Sequence, residues 1–251
     1  MFESYKDIFN KRGLAYHKAM LTYPLARTEE FKRIIELAGI EDGHTVVDIP
    51  SGGCYLNSFI DKSVTTISIE TSHEFVRDSL SSNKNIILVC DDIASTSLKD
   101  QSVDRVASLA GLHHVMDKYS FFQEIHRILK TEGIFCIADA YHNSNVAKFL
   151  NIFVDQNNSM GHKGIFLDNN TRRELEAANF QICYDAPQQY CWEFNSTREM
   201  AEYCKLLFGI DRANQAEVVD GIKDYLGYLE NSEKCLMNWE LHFIKCIKRT
   251  T

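Results

Sequence analysis

Between residues 45 and 138 the chain alternates regularly. A short, nearly uninterrupted apolar run ends in an acidic or glycine-bearing turn, and helix-like segments connect the runs. The runs are 45–49, 64–69, 86–90, 103–109 and 134–138. Strands apolar on both faces are buried on both faces, which a parallel sheet covered by helices above and below provides. The connecting segments carry the matching helical pattern. Ser72 is placed to cap a helix over 72–80, and Asp117 one with Phe121, Ile125, Ile128 and Leu129 along one face. A helix over 28–38, with Phe31, Ile34, Ile35 and Ala38 on one stripe and Glu29 and Glu30 at its N-terminal end, precedes the first strand.

The second half is less regular. Thr171-x-x-Glu174 reads as a capping box opening a helix, with Leu175 and Ala178 on its apolar side. A strand over 180–184 follows. Met200, Tyr203, Cys204, Leu207 and Phe208 then share one helical face, and Val218, Ile222, Tyr225, Leu226 and Leu229 another. The last strand is expected over 238–247. The expected class is therefore α/β, a doubly wound, mostly parallel seven-stranded sheet. An N-terminal helical segment precedes it, and a helical cap over 197–232 is inserted before the last strand. With three prolines and neither a linker nor a repeat, residues 1–251 read as a single domain.

Composition narrows the partners. A net charge of −8 without basic clusters makes a poor phosphate-backbone binder, so nucleic acid is not expected. No stretch reaches the roughly 18 apolar residues of a membrane span, and the first 25 residues lack a signal-peptide pattern, so a cytoplasmic location is expected. The eight cysteines show no C-x-x-C pair, and no metal-ligand set is read from their spacing. As free thiols they fit a reducing compartment.

Residues suited to chemistry fall at strand ends, where open α/β sheets bind ligands. Asp48-x-x-Ser51-Gly52-Gly53 ends the first strand, and glycine there lets backbone approach a ligand. Glu70, 22 residues after Asp48, ends the second strand at the distance at which an acid meets a ribose diol. Asp91 and Asp92 end the third, placed to accept from an adenine amino group.

In this order and spacing the chain resembles the class I S-adenosylmethionine-dependent methyltransferases, particularly their small-molecule branch. The stretch 92–104, Leu109-Ala110-Gly111-Leu112-His113-His114 and Leu129-Lys130-Thr131-Glu132-Gly133 carry the resemblance further. It implies a Rossmann-like methyltransferase fold with S-adenosylmethionine as cofactor. Asp48, Ser51, Gly52, Gly53 and Ala110 would line the cofactor, Glu70 would take its ribose, and Asp92 with Ile93 its adenine. Residues 1–40 would form a helical lid, 41–140 the cofactor-binding half and 141–251 the substrate-side half. The family's glycine turn has glycine where this chain has Pro50 and Cys54. That departure keeps open a protein with this fold that binds the cofactor without transferring methyl. A dinucleotide oxidoreductase ranks below both, because its Gly-x-Gly-x-x-Gly turn is absent. A methyltransferase acting on protein or nucleic acid ranks lower too.

Methyl transfer from a sulfonium needs positioning, and a base only when the acceptor must lose a proton. His162, in the loop 159–164, is the first candidate. His113 after the fourth strand and Tyr141 after the fifth follow, and His114, His142 and Asp139 lie nearby in sequence. Tyr16, Tyr23 and Arg27 either close over the cofactor or pack a helix. The apolar cap face suits a small organic substrate or a homodimer contact.

Overall fold

The computed structural model describes residues 5–80, 86–90 and 92–249. Asp91 lies outside them. Five strands run parallel in the order β3 (Ile86–Val89), β2 (Thr65–Glu70), β1 (Thr45–Asp48), β4 (Val103–Leu109) and β5 (Leu129–Asp139). The strand order reverses between β1 and β4, so their carboxyl ends splay apart there and leave a crevice. β8 (Cys235–Lys248) and β6 (Phe180–Phe194) continue the sheet antiparallel, and β7 (Tyr228–Glu230) adds a short eighth strand on β8.

Alternation along the strands divides the core in two. Cys136 and Ala138 face one layer, and Phe135 and Ile137 the other. On the first side lie α1 (Tyr5–Thr22), α2 (Thr28–Ala38), α8 (Thr197–Phe208) and α9 (Gln215–Tyr225). The second core includes residues of α4 (Lys118–Ile128) and α7 (Asn169–Ala177), while α3 (His73–Leu80) packs on β2 and α1. Capping matches the expectations at α3, where Ser72 Oγ accepts from Phe75 N–H at 3.2 Å, and at α4, where Asp117 accepts from Ser120 N–H.

Four expectations need correction. The capping box of α7 is Asp168 with Thr171, not Thr171 with Glu174: Asp168 accepts from the N–H groups of Asn170 and Thr171, and Thr171 Oγ1 accepts back from Asp168 N–H. The second cap helix stops at Tyr225. Gly227 takes φ +75°, and Leu229 sits in β7 at 69% exposure instead of on the helical stripe. β6 is three times the expected length, because it pairs with β8 along a ribbon that reaches past the core. Finally, 145–157 is helical: α5 (Asn145–Lys148), a π-helical stretch (Phe149–Val154) and α6 (Asp155–Asn157). Val146, Phe149, Leu150 and Val154 are buried at helical spacing there, a legible stripe that the strand count passes over.

Candidate active site

The turn after β1 is compact. Ser51 N–H donates to Ile69 O, Gly52 takes φ +54°, and Cys54 stands at φ +62°, a left-handed backbone that usually calls for glycine. Cys54 thus adopts a glycine-like backbone while adding a buried thiol, and burial pushes that thiol up to about 11. Pro50 packs where a Cβ on Gly111 would fall 2.6 Å from its ring. The substitutions leave a tight turn.

Glu70 is fully buried at the end of β2. Its Oε1 accepts from Thr71 N–H at 2.7 Å and Ser72 N–H at 3.0 Å, and its Oε2 from Gly52 N–H at 2.8 Å and the Tyr5 hydroxyl at 2.7 Å. Burial raises its carboxyl above the usual range in spite of these donors. Asp48 is raised well above its usual value by burial and then by the Glu70 charge.

Between the turn and α1 lies a cavity of about 50 Å³, lined among others by Tyr5, Phe9, Tyr16, Asp48, Ser51 and Gly52. Gly53, Glu70, Asp92 and Ile93 are not among its lining residues. Gly53 lies against the Tyr55 ring, 2.4 Å from where its Cβ would be. Asp92 is exposed after β3 and accepts from Ala94 N–H, and Ile93 packs on the second core.

A second cavity, of about 60 Å³, adjoins the first and shares Phe9, Tyr16, Arg27 and Ala110 with it. Its walls include Trp192, Trp239, Phe208 and Leu241, with Arg12, His113, His114, Asp139 and His162. His113 and His162 are therefore brought together, although they are 49 residues apart in the chain. Tyr141 is not. It packs on the opposite core, its hydroxyl on Asn169 and its ring on His242, and His142 is exposed beside it. Tyr23 packs on Phe194 and Tyr203.

Sequence reasoning missed Arg12, Trp192 and Trp239, which only the tertiary fold brings here. Arg12 Nη2–H donates to Leu207 O at 2.9 Å while its Nε is buried without a partner, and burial lowers the guanidinium to about 10. The two indoles stack at 4.1 Å.

His114 and His162 are held well below the ordinary histidine value of 6.5, by burial first, then by neighbouring imidazoles and Arg12. The unfolded chain binds those protons near pH 6.5 and the folded chain does not, so their stabilisation is complete above that pH. It is lost on acidification toward their folded values, with a slope of up to about 1.4 kcal/mol per pH unit for each histidine. Asp48 and Glu70, raised in the folded state, work in the opposite sense, losing stabilisation as pH climbs from the ordinary carboxylate range. Urea midpoints followed from neutral to about pH 5.5 should therefore fall less steeply for His162→Gln than for the wild type. Parallel curves would show that His162 is not the group that titrates.

The residues fit an S-adenosyl cofactor on one direct observation. Oε2 of Glu70 already accepts a hydroxyl hydrogen from the crevice side, and that hydroxyl is Tyr5's. An acceptor so placed suits a ribose hydroxyl. The space beside it is far below the roughly 300 Å³ at which small-molecule sites begin, so α1 has to shift for a nucleoside to seat.

Comparison with known proteins agrees. Residues 47–137 match the family model described as a methyltransferase domain. The chain has no match among curated proteins. Among solved structures it is similar to the YcgJ protein of Bacillus subtilis at 16% identity and a TM-score of 0.64, covering 89% of this chain and 100% of that one. A methyltransferase of Thermotoga maritima described as S-adenosylmethionine-dependent is similar at 15% identity and 0.63, covering 97% and 99%. The [4+2]-cyclase SpnF is similar at 16% identity and 0.58, covering 88% and 80%. Together they show a methyltransferase domain over residues 47–137 and, around it, a fold similar to that of solved methyltransferase structures.

Proposed function

We propose that the protein transfers a methyl group from S-adenosylmethionine to an oxygen or nitrogen of a small organic molecule. The observation that carries this is the junction of the two cavities, one beside Glu70 and the glycine turn, the other lined by aromatic side chains and histidines. The cofactor supplies an electrophilic methyl on a good leaving group. What remains for the chain is binding, orientation and exclusion of water.

Glu70 takes the ribose hydroxyls in place of Tyr5, and the backbone of Ser51, Gly52 and Gly53 lies along the amino-acid portion. Ala110, at φ +52° between the cavities, brings its backbone to their junction. Asp92 and Ile93 take the adenine. Trp192, Trp239 and Phe208 suit a flat or apolar acceptor, and Arg12 a negatively charged group on it. An open groove of about 640 Å³ on the β6–β8 ribbon shares Val146 and Trp239 with the substrate cavity and gives a route in.

The base is His162. Asn151 Oδ1 accepts from Gly164 N–H at 2.7 Å and lies 3.1 Å from His162 Nδ1. Nδ1 is therefore the protonated nitrogen, and Nε2 keeps the lone pair that takes the acceptor's proton. Held neutral by burial, it stays competent below pH 6.5. His162→Gln is expected to lower kcat by about 10²- to 10⁴-fold while cofactor affinity holds. Equal losses in both would assign His162 a structural role.

Titration calorimetry with S-adenosylmethionine, then S-adenosylhomocysteine, tests the cofactor part. Saturable binding of both supports it, and binding of neither by folded, ligand-stripped protein defeats it. A second reading is a protein that binds the cofactor and catalyses another reaction. It is favoured by the Pro50 and Cys54 substitutions and by the fold shared with a [4+2]-cyclase. Binding without methyl transfer to any acceptor class would support it.

A further inference from the structure

We propose that His113, His114 and His162 form a binding site for one divalent first-row transition metal ion of the Zn(II) class, open toward the substrate cavity. One ring nitrogen of each lies within 4.8 Å of the others. Zinc–nitrogen bonds of about 2.0–2.1 Å place tetrahedral ligands roughly 3.3 Å apart, so small side-chain rotations close the set. Three imidazoles with a fourth position left open is a known ligand arrangement of catalytic zinc.

The outer hydrogen bonds are those a metal-binding imidazole requires. His113 Nδ1 lies 2.8 Å from Asp139 Oδ1, and Asp139 also accepts from the backbone N–H groups of His113 and Ala140. A carboxylate with those donors accepts from Nδ1–H, which leaves the lone pair on Nε2. His162 is fixed the same way by Asn151, which sits on the π-helical turn with its amide orientation set by both Gly164 N–H and Gly164 O. Carboxylate and carbonyl partners on the far nitrogen are the usual supports of ligating histidines.

Burial keeps His114 and His162 neutral and thus able to ligate. The charges that bear on the cluster from neighbouring elements are the cations Arg12 and Lys118 and the carboxylates Asp139 and Asp155. Two acids thus offset two bases, and the divalent charge is met by neutral ligands as in other three-histidine sites. With the ion present, Nε2 of His162 would be a ligand and no longer the base; the ion would instead lower the pKa of an acceptor oxygen held at the open position, whose proton would pass to solvent water. Metal binding itself does not depend on the methyl-transfer reading, so it is tested without cofactor or substrate.

Chelator-stripped protein titrated with Zn(II) by calorimetry should bind one ion per chain. Co(II) should give the visible bands of a four-coordinate ion, and in the wild-type protein it should shift the imidazole N–H signals of three histidines. Asn151→Ala, folded by circular dichroism, should bind about 10- to 100-fold more weakly, and His162→Ala and His114→Ala more weakly still. Absence of saturable binding to the wild type overturns the proposal. So does binding that neither histidine variant changes, or a Co(II) spectrum in which other histidines shift.

Discussion

Glu30→Gln is expected to destabilise the fold by about 3–5 kcal/mol, the largest single-residue effect the structure points to. Glu30 is fully buried, and each of its oxygens is used. Oε1 accepts from Arg27 Nε–H at 3.0 Å and from the Nη2 of the same guanidinium, and Oε2 accepts from Tyr190 OH at 3.1 Å and Trp192 Nε1–H at 3.0 Å. A glutamine there keeps one acceptor and turns an N–H₂ toward N–H or O–H donors. It also leaves Arg27, 5% exposed, with the Tyr16 hydroxyl and the faces of Phe31 and Trp192. Removing one partner of a buried pair costs more than replacing both with apolar groups. The urea midpoint of Glu30→Gln should therefore fall sharply, and Arg27→Met/Glu30→Gln should recover much of the loss. A single variant within about 1 kcal/mol of wild type would mean that water reaches the pair.

Glu70→Ala should weaken S-adenosylmethionine binding by about 1.5–3 kcal/mol, or roughly 10- to 150-fold in Kd. The carboxylate meets five donors, three of them backbone N–H groups of the turn and the strand end. The variant should therefore also lose stability, because those N–H groups lose their acceptor in a buried place. Calorimetric titration of folded variant at a temperature well below its midpoint separates the two effects. Affinity equal to that of the wild type would remove Glu70 from the ribose site.

The first five strands were legible because each is a short β-rich run set off by a turn, although β1 and β2 are mostly buried on both faces and the edge strand β3 has no buried residue. Glu70 and Asp48 were legible for the same reason, as acids at strand ends. The β6–β8 ribbon was not: Asp185, Gln188 and Gln189 interrupt the pattern of β6, and only pairing with β8 makes them strand. Tyr141 misled because it follows β5, as a site residue would, yet it joins the opposite core beside Leu167. The histidine cluster was half legible. His113 and His114 are adjacent in sequence, but the contact with His162 depends on the path of the loop between α6 and α7, which no local pattern encodes. Arg12 and the paired tryptophans carry no sequence signal of a site at all.

The first helix touches nearly everything that matters. Tyr5 is bonded to Glu70, Phe9 is stacked on Phe75 of α3, and Arg12 reaches Leu207 of α8. One helix thus spans the proposed nucleotide seat and the proposed acceptor cavity. Any ligand that displaces it at one end alters the walls at the other, so the two occupancies are thermodynamically linked. The factor by which the first ligand changes affinity for the second must equal the factor in reverse. Order of addition then affects rates of assembly, while the final complex is the same by either route.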